Sequence, residues 1–407
     1  MQLKRVAVIF VLLFIGIGFA FWRVFVFVPT VKPPEPRRPI EMSANKRGVH
    51  LLLEDGRSHW PASRWEEHLV AAQAAIGEWG YVTQLVQLDD LDLEKWQYFM
   101  DLCAELHLIP ILRLATTHDK DNGWWDMPPA DRNGRSYQHT ARQYARFISA
   151  LDWPTDEHYI LVGNEPNHGD EWAGKPNPAA YARFLMDVAS VVHESDPNAR
   201  IFNAGLDAYT PHTGSQPFHN GLWYLDSETF MDEMIAAYPN VFDYIDGWAS
   251  HPYPLGPFAA PPWQQTYQID WMNDAHNPAH QEPAKEINNR GVNGYEWELW
   301  KLNTYGVEAL PVFITETGWR HMAEGYPQTD LAGVYLDLAL RGNKGRYSHL
   351  TSENWTPWLT DARVYVVTPF ALDGHADEWH HTSWLTLDEN GHVVNKNELW
   401  WAMKGQE

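Results

Sequence analysis

From Arg47 onward, short apolar runs alternate with longer stretches in which apolar residues recur every three or four positions. The first pattern predicts buried strands and the second amphipathic helices. Strands are expected over 47–53, 81–87, 109–116, 159–165, 200–204, 245–251, 311–316 and 364–370. Helices are expected over 64–78, 93–107, 137–151, 178–194, 229–238, 295–305, 331–341 and 398–404, with Pro178 at a first helical position. Strict strand–helix alternation argues for a parallel sheet, and eight repeats over roughly 360 residues suit a closed (β/α)8 TIM barrel. A doubly wound open sheet is the alternative, but no Gly-rich phosphate loop follows the first strand. Residues 381–394 read as a small hairpin turning at Asp388-Glu389-Asn390-Gly391.

The first 45 residues break this rhythm. Met1–Arg5 is short and basic, and an apolar stretch over residues 6–28 is interrupted only by Arg23. Its length is near that needed to cross a bilayer, so residues 1–28 are expected to be a transmembrane signal anchor. A cleaved signal peptide is the other reading, since Gly18-Phe19-Ala20 offers small residues. Residues 29–45 form a Pro-rich linker, and the body spans 46–407. Either reading puts that body outside the cytoplasm, membrane-anchored or secreted. Oligomeric state is not expressed in these patterns.

Charge and composition narrow the chemistry. The net charge is −23, and residues 1–40 carry six basic residues and one acid, which leaves −28 on the remainder. So acidic a body repels nucleic acid and favours uncharged substrates, unless a local basic pocket intervenes. The 22 Trp, 18 Tyr and 16 Phe suggest that several rings line a cleft rather than the core, where flat faces suit sugars. The lone Cys103 excludes an intrachain disulfide and is expected to be a buried hydrophobe. No His-Glu-x-x-His helix and no Gly-x-Ser-x-Gly elbow is present, so neither a metal nor a cofactor is expected.

In (β/α)8 barrels, chemistry gathers at the C-terminal ends of strands. Strand four ends in Asn164-Glu165-Pro166, and strand seven in Glu316-Thr317-Gly318-Trp319. Strand six delivers His251 and Tyr253, strand three Arg113, and strand one His50. Strands four and seven face each other across such a barrel. Two rim carboxylates there can act on one bond from opposite sides, as glycoside cleavage requires. Arg113 reads equally as a sugar ligand or as the partner of a rim carboxylate.

These strand ends resemble the clan of (β/α)8 retaining glycoside hydrolases that includes the family 5 cellulases and the family 39 enzymes. The resemblance implies Glu165 as acid/base, Glu316 as nucleophile, Asn164 on the sugar 2-hydroxyl and Tyr253 bonded to Glu316. Trp319 is expected as a sugar platform. Where the family carries a Trp near the end of strand eight, this chain has Phe370, with Trp379 or Trp384 able to reach in from the following loop. A neutral poly- or oligosaccharide is the expected substrate. A transglycosylase on the same fold and a membrane-tethered, non-catalytic glycan binder are the alternatives.

Overall fold

The computed structural model describes residues 37, 39–132, 134–264, 290–322, 325–344, 355–375 and 378–405. The expected anchor over 1–28 and most of the proline run lie outside the described residues. Among the described residues no helix is long and apolar enough to cross a membrane.

Among the described residues, eight barrel strands alternate with eight helices, and a short helix, Leu255–Phe258, follows the sixth strand. They run β1 (Gly48–His50), α1 (Ala62–Ile76), β2 (Gly80–Gln87), α2 (Leu93–Glu105), β3 (Leu108–Ala115) and α3 (Gln138–Ile148). Then come β4 (His158–Val162), α4 (Pro178–Ser195), β5 (Ala199–Asn203), α5 (Ser227–Ala237), β6 (Trp248–Ser250) and α6 (Gly294–Thr304). The series ends with β7 (Val312–Ile314), α7 (Thr329–Arg341), β8 (Val364–Val367) and α8 (Glu398–Lys404). One parallel ladder joins β1 through β5 in order and a second joins β6 through β8. Parallel bridges Arg47–Val367 and Phe202–Gly247 link the two and close the cylinder. The barrel expectation holds, and the open sheet is excluded.

Period-two alternation sorts the strand side chains into two cores. Tyr81, Ile109, Ile111, Tyr159, Leu161, Phe202, Ala249, Phe313 and Val366 form one cluster and fill the barrel. Their neighbours Val82, Leu112, Ile160, Val162, Ile201, Val312 and Ile314 pack outward with the helices in a larger core. Polar side chains start four of these helices: Asp92, Asn177, Asp226 and Asn397 each accept from backbone N–H groups of the first turn. Cys103 is free and buried, as expected.

Three expectations change. Strands one, four, seven and eight end two or three residues earlier than the apolar runs suggest, because the chain leaves the ladder at the rim. The predicted hairpin is present as Leu385–Leu387 paired antiparallel with Val393–Lys396. A second two-stranded ribbon, His118–Asp119 with Trp124–Trp125, was not anticipated. The tryptophans largely fill the core: Trp65, Trp96, Trp248, Trp319, Trp358, Trp384 and Trp400 are among the most completely buried side chains.

Candidate active site

Strand alternation aims Arg113 inward. It lies two residues beyond Ile111 on the same face of β3, and pairs in register with Leu161 of β4. At the end of β4, Gly163 at φ +91° and Glu165 at φ +31° turn the chain out of the strand. The Glu165 N–H donates to the Gly205 carbonyl (3.1 Å), and its own carbonyl accepts from His168 N–H (2.8 Å). Positive φ is costly for a residue with a Cβ, and its clustering at functional positions is common. Gly205, after β5, has a backbone that lies flat against the His251 ring: a Cβ there would meet ring atoms at 2.2 and 2.4 Å.

The carboxylates converge. One oxygen each of Glu165 and Glu316 and a nitrogen of His251 lie within 4.8 Å of one another. His251 Nδ1 is 2.8 Å from Glu165 Oε1, and its Nε2 is 3.2 Å from Thr315 Oγ1. Arg113 Nη1 donates to Glu316 Oε1 and to Asn164 Oδ1 (3.0 Å). Tyr253 donates its hydroxyl to Glu316 Oε2 (3.2 Å). His50 is fully buried, with Nδ1 3.3 Å from the Thr315 carbonyl and 3.8 Å from Glu316 Oε1.

Two carboxyl groups this close are driven to opposite protonation states. Burial raises the pKa of Glu165 well above its ordinary range, and the charges of Asp207 and Glu316 add to the effect. Burial acts the same way on Glu316, but His251 and Arg113, then His50 and the Tyr253 hydrogen bond, outweigh it and hold Glu316 low. Burial also lowers His251, and His50 to about 3. Arg113, whose guanidinium keeps its charge at any working pH, is the lasting positive charge behind the Glu316 carboxylate. The Glu165–His251–Glu316 trio has donor atoms spaced as a metal could use them, but the guanidinium already on Glu316 opposes a cation there.

A cavity of about 320 Å³ opens above these groups. Asn164, Glu165, Arg113, Tyr253, Glu316 and Trp319 line it. Trp319 corrects the platform expectation: its ring is 1% exposed, packs near Tyr335 and Trp358, and donates Nε1–H to the Ala260 carbonyl (2.8 Å). It borders the cavity as a core residue and offers no face. The half-buried Trp379 comes in from the loop after β8, donating Nε1–H to Asp55 Oδ2 (2.8 Å), whereas Trp384 is buried. His118 stays in its ribbon, edge-on to Trp125 at 5.1 Å.

Sequence reasoning missed Asp55, Arg57, Asp170, Glu171, Asp207 and Arg320, all of which line the cavity. Glu171 has the largest consequence. Burial, then the Asp170 charge, raise its carboxyl to about 8 against the pull of Arg113. Its loop is closely packed, since a Cβ on Gly169 would meet the Trp223 carbonyl at 2.4 Å. Burial lowers the neighbouring His168, but its hydrogen bond to and the charge of Asp170 prevail and lift it to about 9. The only signal in the chain was the acidic pair Asp170-Glu171 shortly after Glu165.

No family model matches the chain, and no curated protein matches it. Solved structures do. A family 39 glycoside hydrolase from Bacteroides cellulosilyticus superposes with TM-score 0.53 at 15% identity over 90% of this chain and 64% of that one. The present chain thus spans slightly under two thirds of that enzyme. A glucosidase from Croceicoccus marinus gives 0.52 at 11% identity, covering 90% and 68%. Thermotoga maritima Cel5A, solved with cellobiose, gives 0.50 at 9% identity, covering 89% and 97%. The chain therefore has the fold of the (β/α)8 glycoside hydrolases, the group that its strand ends resemble.

Proposed function

We propose that the protein is a retaining glycoside hydrolase acting on a poly- or oligosaccharide, with Glu165 as acid/base and Glu316 as nucleophile. The observation that carries this reading is the pair of converging carboxyl groups with opposite protonation preferences. Glu165, protonated at neutral pH, donates to the leaving oxygen while ionised Glu316 attacks the anomeric carbon. A covalent glycosyl ester on Glu316 results. Glu165, now ionised, takes a proton from water as that water attacks the same carbon, and Glu316 leaves. Arg113 and Tyr253 orient the nucleophile, and Asn164, fixed by Arg113, presents its amide to the sugar. Contact within 4.8 Å favours retention, since inversion needs carboxyl groups roughly 6.5–9.5 Å apart to admit a water. We further propose that residues 6–28 anchor the enzyme in a membrane with the barrel outside the cytoplasm. Resistance of the full chain to alkaline extraction from membranes tests that point.

The test of mechanism is the anomeric configuration of the first-formed product, followed by NMR on an activated glycoside. Retention is expected, together with loss of turnover in Glu316→Gln. An inverted first product, or near-wild-type turnover in that variant, overturns the assignment.

A further inference from the structure

The three arginines of the cavity differ in what they face. Arg113 contacts Glu316, and Arg57 stands 4.0 Å from Asp170. Arg320, on the loop after β7, has no carboxylate within 4.0 Å among the described residues. Neutral groups hold it instead. Its guanidinium lies 5.0 Å from the Phe258 ring centre and 5.8 Å from that of Tyr326. Nη1 donates to the Tyr326 hydroxyl (3.2 Å), and the backbone N–H donates to the Phe258 carbonyl (3.2 Å). Nε is buried without a partner, and among the described residues the guanidinium's one hydrogen bond is that from Nη1, which leaves Nη2 without one. A buried donor left unmatched costs free energy, so such groups point to an acceptor that arrives from outside. The idle Nε–Nη2 edge is also the side of a guanidinium that takes a carboxylate through two parallel hydrogen bonds.

The charge balance of the cavity permits this. With Glu165 and Glu171 protonated, the formal charges of Asp55, Asp170, Asp207 and Glu316 are matched by Arg57, Arg113, Arg320 and protonated His168. The lining is neutral overall, unlike the −23 of the whole chain, and positive at its Arg320 corner. His381 stands near enough to feel Arg320. Burial first and that charge second push it to about 4, so it remains a neutral hydrogen-bonding group. The corner is close to the chemistry: Phe258 packs on Tyr253 with ring centres 4.3 Å apart, and Tyr253 bonds Glu316.

We propose that Arg320 binds the carboxylate of a uronic acid unit within an otherwise uncharged glycan. This names a substrate feature of the hydrolase site and rests on that reading. The experiment is calorimetric titration of the full-length Glu316→Gln variant with glucuronate and galacturonate, with glucose and galactose as neutral counterparts, and with glucose 6-sulfate. At least one uronate should bind about tenfold tighter than its neutral counterpart. Adding Arg320→Met should abolish that preference, and adding Arg320→Lys should restore part of it. Uronates that bind no tighter than the neutral sugars, or a preference that survives Arg320→Met, overturn the proposal. Glucose 6-sulfate binding tighter than either uronate overturns the carboxylate assignment in favour of a sulfate ester. Because the titration needs no turnover, its failure is separate from failure of the hydrolase mechanism, which the wild-type product configuration reports.

Discussion

Arg113 ties together the rim ends of β4 and β7, because one guanidinium touches both Glu316 and Asn164, the residue before Glu165. Replacing it with Met leaves Glu316 buried without its permanent counter-charge, so burial drives the nucleophile's pKa upward. The acidic limb of kcat/KM against pH should move to higher pH, and kcat/KM at neutral pH should fall by roughly 10²–10³. A limb that stays in place while only the amplitude drops would show that Arg113 has a structural role alone. Residues such as Glu165, Glu316, His251 and Tyr253 were legible because an apolar strand ending in a polar side chain fixes both its height and its facing in a barrel. Trp319 was not. A Trp after a strand-end Gly reads the same whether its ring enters the cavity or the core, and the acceptor that draws it inward, Ala260, lies 59 residues away in sequence. Glu171 was invisible as a titrating group because its shift comes first from burial, which only the folded loop creates, and because Arg113, which pulls against it, sits on another strand, β3.

Among the elements, the eight strands and eight helices were recoverable because burial on both faces of a parallel sheet gives long apolar runs, and helices on one side give three-to-four spacing. Boundaries were less recoverable, since apolar residues continue past the last ladder hydrogen bond into the rim. The His118–Trp125 ribbon escaped because two-residue strands carry no period. Packing between strand ends also creates sites that no pattern marks, and Gly205 is one: its backbone meets the His251 ring below normal contact distance for any Cβ. Gly205→Ala should displace that ring from Glu165 and lower kcat/KM more than about tenfold, with far-ultraviolet circular dichroism unchanged. Wild-type activity in this variant would mean that the 2.8 Å contact between His251 and Glu165 does not matter to turnover.

Over the whole molecule, the barrel mouth concentrates groups that oppose folding, and the cost has a definite sign with pH. Glu165 and Glu171 have pKa values raised in the folded state, so folding at neutral pH takes up protons that the unfolded chain would release. Their favourable contribution is complete below the ordinary Glu value near 4.5 and fades as pH rises through the folded values. Gln keeps the shape of a protonated Glu and removes the titration. Glu165→Gln and Glu171→Gln should therefore raise Tm at pH 7, each by something on the order of a few °C, and leave it almost unchanged at pH 4. Glu316 must behave oppositely. Its lowered pKa contributes stability above the ordinary Glu value, and that stability is lost as pH falls through the folded value. Glu316→Gln also strands the Arg113 charge in a buried site, so Tm should fall at pH 7. Calorimetric Tm at both pH values reads all three variants. Equal shifts for Glu165→Gln and Glu316→Gln would contradict the opposed protonation states on which the division of acid and nucleophile depends.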